Sequence, residues 1–164
     1  MFALKSDRPG TKAGLLSELL SQARALLADE RDATANAANL AALVFHTLPD
    51  LNWAGFYWMK QGELVLGPFQ GKPACVRIAI GAGVCGAAAR DKRTVVVEDV
   101  HRFPGHIACD SASNSEVVVP LVRDGRVLGV FDLDSPKAGR FDEEDARALE
   151  ALVAIYLEAS DPGD

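Results

Sequence analysis

The chain has 164 residues, 49% of them hydrophobic and 24% charged, an ordinary balance for one globular domain with a single core. Its formal charge of −6 argues against a phosphate-backbone partner, so no nucleic-acid binding is expected. No run approaches the ~20 apolar residues of a membrane span and Met1–Asp7 lacks a secretory apolar core, so no membrane association and a cytoplasmic location are expected.

Residues 1–10, with Pro9-Gly10, read as an N-terminal arm. From Thr11 a helical pattern places Leu16, Leu20, Ala23 and Leu27 on one face. A second helix, capped by Asp32 or Thr34, turns Leu40, Leu43, Val44 and Leu48 inward and stops at Pro49. The period then changes. Asn52–Met59 is aromatic-rich and reads as a strand, turning at Lys60-Gln61-Gly62 into a hairpin partner, Glu63–Gly67. Pro68–Pro73 reads as a connection and Ala74–Ile80 as a strand, before a short helix opens at Gly81-Ala82-Gly83. Thr94–Val97 is a further strand. Glu116–Val122 and Val127–Leu133 flank Asp124-Gly125, a good hairpin turn, and Phe141–Glu144 caps a last helix. Residues 160–164 form a tail. Helices at both ends and hairpin-linked strands between predict an α+β fold with a mainly antiparallel sheet over residues 11–159.

The segment from Glu98 to Pro120 is the functional focus, because long loops with chemistry-bearing residues on a rigid scaffold are where sites concentrate. It holds His101, His106 and Cys109 between two apolar runs. Three cysteines in a cytosolic chain point to redox or metal chemistry rather than to a disulfide framework. Zinc would need His101, His106 and Cys109 with Asp99 or Asp110, but no paired ligand spacing supports it. Gly81-Ala-Gly83-Val-Cys-Gly86 fits a dinucleotide fingerprint, yet the helix is too short for a crossover and no further βα units follow. Cys85 falls at the helix N-terminus, where the dipole is expected to favour a thiolate. Glu116, Asp132 and Asp134 sit inside strand-like apolar sequence, and Asp132 and Asp134, two apart, share a face. Crowded, buried carboxylates retain a proton near neutral pH; the bland alternative is a solvated sheet edge.

Phe103–Asp110, Ser115–Leu121 and Gly129–Ser135, with Asn52–Tyr57 and the Cys75/Cys85 pair, closely resemble the free methionine-(R)-sulfoxide reductases, which are single GAF domains. The resemblance, which runs from about Asn52 to Tyr156, implies that the domain expected over residues 11–159 is a single GAF domain, with a thiol mechanism that needs no metal and no organic cofactor. It implies that Cys109 attacks the sulfoxide sulfur and becomes a sulfenic acid, and that Cys75 or Cys85 resolves it as a disulfide, which thioredoxin reduces. It assigns the substrate's methyl-thio end to Trp53 and Tyr57 and its ammonium to Glu116, Asp132 and Asp134. Asp99 is left as a fourth acidic position, and a homodimer as a weaker implication. The rival from another class is a GAF domain that senses a small molecule without catalysis.

Overall fold

The computed structural model describes residues 10–105 and 110–161. Helix α1 (Lys12–Leu27) starts where Thr11 Oγ1 accepts a hydrogen bond from Gly14 N–H at 3.1 Å. Helix α2 (Ala33–Thr47) is capped by Asp32 rather than Thr34, the Asp32 carboxylate accepting from Ala35 N–H at 2.8 Å. Such a cap contributes about 1 kcal/mol. Leu48 is already extended, as the residue before Pro49 must be. Helix α4 (Glu143–Ala159) carries a reciprocal capping box between Asp142 and Asp145, and its acidic first turn complements the helix dipole.

Six antiparallel strands lie in the order β3-β2-β1-β6-β5-β4. They are β1 (Trp53–Lys60), β2 (Glu63–Gly71), β3 (Arg77–Ala79), β4 (Val95–Val97), β5 (Ser115–Arg123) and β6 (Arg126–Ser135). The Asp124-Gly125 turn has both residues at positive φ, 51° and 75°, as a two-residue hairpin of matching twist requires. Helix α3 (Gly83–Asp91) joins β3 to β4.

Two expectations are corrected. Strand β2 continues through Pro68 to Gly71, where a connection is expected from the sequence. The register against β1 steps from Gly55↔Phe69 to Tyr57↔Leu66, so β2 carries one extra residue in a bulge, and Pro68 is tolerated there without an N–H. Strand β3 shrinks from Ala74–Ile80 to Arg77–Ala79, which leaves Cys75 in a loop.

The strand period of two sorts the side chains onto two faces. Ala54, Phe56, Val117, Val119, Leu121, Phe131 and Leu133 pack against α1, α2 and α4 in one apolar cluster. Phe56 stacks on Phe131 with ring centroids 4.5 Å apart. Trp53, Tyr57, Val118 and Val130 point the other way, into a second cluster with Val84, Cys85, Ala88 and Ala89 of α3. The site lies on this second face. Among the described residues no helix is long and apolar enough to cross a membrane.

Candidate active site

Because Glu116, Asp132 and Asp134 follow the same alternation as Val118 and Val130, all three carboxylates turn toward α3. Glu116 pairs directly with Asp134 across β5 and β6, and Asp132 sits opposite Val118. On the other side Trp53 pairs with Asp134 and Gly55 with Asp132. Gly55 is required here: a Cβ would lie 2.6 Å from the Trp53 ring and 2.3 Å from Phe69 Cβ, so the missing side chain makes room for the stacked aromatic wall. In that wall Trp53 stacks on Tyr57 at 5.8 Å and on Phe69 at 5.3 Å. The indole N–H donates to the Lys72 carbonyl and the Tyr57 hydroxyl to the Cys75 carbonyl, each at 3.1 Å, so both rings are fixed.

Between the acids and the rings lies a cleft with about 550 Å³ of free space, part of it open to solvent. Trp53, Tyr57, Cys85, Glu116, Asp132 and Asp134 line it together with Lys72, Asp110 and Ser113. Glu116 and Asp132 are each only 6% exposed, so the solvated-edge reading of these carboxylates is excluded. Burial raises the carboxyl of Glu116 well above its ordinary range, and the neighbouring Asp132 and Asp134 add to the effect. Burial likewise pushes Asp132 up to about 7, opposed by hydrogen bonds with Cys85 and Glu116, and raises Asp134. The cleft therefore holds protons at neutral pH and gains from any cation that enters.

The three cysteines differ. Cys75 is half-buried and engaged in a disulfide, whereas Cys85 is buried with a free thiol. The expected thiolate character of Cys85 is not found. Although it lies in the first turn of α3, burial and then the charges of Asp132 and Glu116 raise its pKa well above the ordinary thiol value. Desolvation beside carboxylates outweighs the helix dipole. Cys109 and His106 lie outside the described residues. Asp99 does not line the cleft: its carboxylate caps the 3-10 turn Val100–Arg102 by accepting from His101 N–H at 3.0 Å. His101 Nε2 contacts Asn114 Oδ1 at 3.0 Å.

The residues that sequence reasoning misses are polar loop groups. Asn52 Nδ2 donates to Ser113 Oγ at 3.1 Å and to Asp110 Oδ2 at 3.3 Å, tying the start of β1 to the end of the long loop. Lys72 Nζ lies 3.4 Å from the same Asp110 carboxylate. Nothing in the local pattern at Ser113 or Lys72 signals this, since the contacts join positions about forty to sixty residues apart. The glycines Gly81, Gly83 and Gly86 make a tight turn, with positive φ at the first two and 2.5 Å between a Cβ at Gly86 and the Ala79 carbonyl. They are not the phosphate turn of a parallel sheet, because among the described residues each pair of strands in the sheet is antiparallel. The one group of possible metal ligands among the described residues is Cys85, Glu116 and Asp132.

Residues 34–159 match the GAF domain family. The free methionine-R-sulfoxide reductase of Escherichia coli is 51% identical over 143 residues, 87% of this chain and 87% of that protein. The chain belongs to that family. The free methionine-R-sulfoxide reductase of Saccharomyces cerevisiae is 43% identical over 88% of this chain and 84% of its own. The X-ray structure of the Neisseria meningitidis reductase in complex with its substrate matches with a TM-score of 0.93 and 47% identity, covering 97% of this chain and 95% of that one.

The raised carboxyls make stability depend on pH. A carboxyl whose folded pKa lies above its unfolded value binds protons more tightly when folded. Its stabilisation is complete below the unfolded pKa, near 4, and is lost as pH rises through the folded value, about 7 for Asp132. The ligand-free protein should therefore melt several °C lower at pH 8 than at pH 5, a loss of about 2–4 kcal/mol. Asp132→Asn should flatten that fall. Scanning calorimetry across this range checks it, and equal slopes for parent and variant would contradict the assignment.

Proposed function

We propose that this protein reduces free L-methionine-(R)-sulfoxide to L-methionine, with Cys109 as nucleophile, Cys75 as resolving thiol and thioredoxin as reductant. The observation that carries the reading is the convergence of Glu116, Asp132 and Asp134, the first two buried, in one cleft with Trp53 and Tyr57. A free amino acid brings an ammonium for the acids and a methyl-thio end for the aromatic wall. A methionine within a protein brings no ammonium, and burying it there would leave the carboxylates uncompensated.

The Cys109 thiolate attacks the sulfoxide sulfur while a proton-bearing carboxyl of the cluster protonates the sulfoxide oxygen. The S–O bond is reduced by two electrons, methionine leaves, and Cys109 is oxidised to a sulfenic acid. The Cys75 thiol displaces hydroxide from that sulfur, giving water and a Cys75–Cys109 disulfide. Thioredoxin returns both thiols by exchange, becoming oxidised itself. This cycle suits the reducing cytoplasm.

Cys75 is favoured over Cys85 for resolution on three grounds: it is the disulfide-bonded one, it is half-buried beside the exposed Val76, and Cys85 is buried with a raised pKa. Access and thiolate character both govern exchange rates. Cys75→Ser should release about one methionine per enzyme in a single turnover, then stall with thioredoxin at a rate lowered on the order of a hundredfold. Cys85→Ser should keep cycling. Stoichiometric and steady-state methionine release test this, and a stalled Cys85→Ser beside a cycling Cys75→Ser would reverse the assignment.

A further inference from the structure

We propose that the Cys85 thiol and the Glu116 and Asp132 carboxylates form a binding site for Zn²⁺, whose occupation closes the acidic end of the cleft to the substrate ammonium. The inhibitory part rests on the function proposed above; the site itself does not.

The three ligand atoms lie within 4.8 Å of one another, and all three residues are buried. Cys85 Sγ is 3.9 Å from Glu116 Oε1. In a tetrahedral zinc site, bond lengths of about 2.3 Å to sulfur and 2.0–2.2 Å to oxygen put neighbouring ligand atoms about 3.6 Å apart. Small rotations of the carboxylates therefore close the set. Asp132 supplies an independent observation: it is 6% exposed, and its Oδ1 is buried with no hydrogen-bond partner. A carboxylate oxygen so placed has lost water without gaining a donor, and a cation is the partner it lacks. Each ligand stands on a regular element, Cys85 on α3, Glu116 on β5 and Asp132 on β6, so the set is held by the fold rather than by a loop.

The donor chemistry selects the ion. A thiolate with two carboxylates suits Zn²⁺, whereas Mg²⁺ and Ca²⁺ take oxygen ligands alone. Three protein ligands leave a fourth position facing the cleft, the pattern of an exchangeable site rather than a structural one. Binding displaces to solvent the Cys85 thiol proton and the protons held by the Glu116 and Asp132 carboxyls, and transfers no electron.

The test titrates Cd²⁺, a spectroscopic stand-in for zinc, into a Cys75→Ser/Cys109→Ser variant whose only thiol is Cys85. The readout is the ultraviolet thiolate-to-cadmium charge-transfer band. The band should saturate at about one equivalent, be displaced by Zn²⁺ and persist in a large excess of Mg²⁺. Asp132→Asn or Glu116→Gln in the same background should weaken binding at least about tenfold, and Cys85→Ser should remove the band. The wild-type chain with its Cys75 disulfide intact is a second sample, since there too Cys85 is free. No band in either sample, or an affinity untouched by both carboxylate substitutions, overturns the site. The mixture contains neither sulfoxide nor reductant. A failure to bind metal thus leaves the reductase reading standing, and an inactive enzyme leaves the metal site standing.

Discussion

Cys109→Ser should lower reduction of free methionine-(R)-sulfoxide by on the order of a thousandfold or more. The reason lies in the electron count. Two electrons must reach the sulfoxide sulfur, and with no electron-carrying cofactor in the proposed cycle they come from thiols. Cys85 is a poor substitute, because burial beside Glu116 and Asp132 keeps it protonated. Its retained proton leaves the weakly nucleophilic form. Cys75 is tied to the aromatic wall through its carbonyl, which accepts from the Tyr57 hydroxyl. Single-turnover methionine release separates the roles. Cys109→Ser should yield no methionine, where Cys75→Ser yields about one equivalent. With both proteins reduced, the melting temperature of Cys109→Ser should match the parent's. A full equivalent of methionine from folded Cys109→Ser would remove it as the nucleophile.

Glu116→Gln, Asp132→Asn and Asp134→Asn should each lower kcat/KM at least about tenfold, about 1.4 kcal/mol of transition-state stabilisation, without lowering the melting temperature at pH 8. Ordinary core substitutions lose function by losing stability; these should not. Glu116 and Asp134 face each other across β5 and β6, and burial raises both carboxyls. Ionised together in a partly dry cleft they repel, so an amide in place of one acid relieves the folded state. The same amide removes either a contact to the substrate ammonium or the proton meant for the sulfoxide oxygen. Steady-state kinetics beside calorimetry for each variant gives both numbers. Lower activity accompanied by a lower melting temperature in all three would mark the carboxylates as structural.

The geometry of this site was partly legible in the sequence, and the reason is local. The two-residue spacing of Asp132 and Asp134 fixes their shared face on any strand, and the Asp124-Gly125 turn makes β5 and β6 neighbours, which brings Glu116 opposite Asp134. The capping residues Thr11, Asp32 and Asp142 are equally local signals. What escaped depends on tertiary contact. The bulge that carries Pro68 within β2 exists because β1 holds the other side of the register. Cys85 occupies a helix first turn that would favour a thiolate in water, but β5 and β6 close over it with two carboxylates. Asp99, left by the resemblance as a fourth acidic position, is used by its own backbone turn. Asn52, Ser113 and Lys72 enter the cleft only because the fold brings separate loops together at Asp110.

The most direct measurement supplies the reduced protein with an equal mixture of the two epimers of free methionine sulfoxide, thioredoxin and a source of electrons, and follows each epimer by chiral chromatography. The (R) epimer should be consumed to completion with an equivalent amount of methionine formed, while the (S) epimer and a peptide containing methionine sulfoxide persist. Binding of the sulfoxide without turnover, which a sensor domain would give, or equal consumption of both epimers would contradict the proposed function.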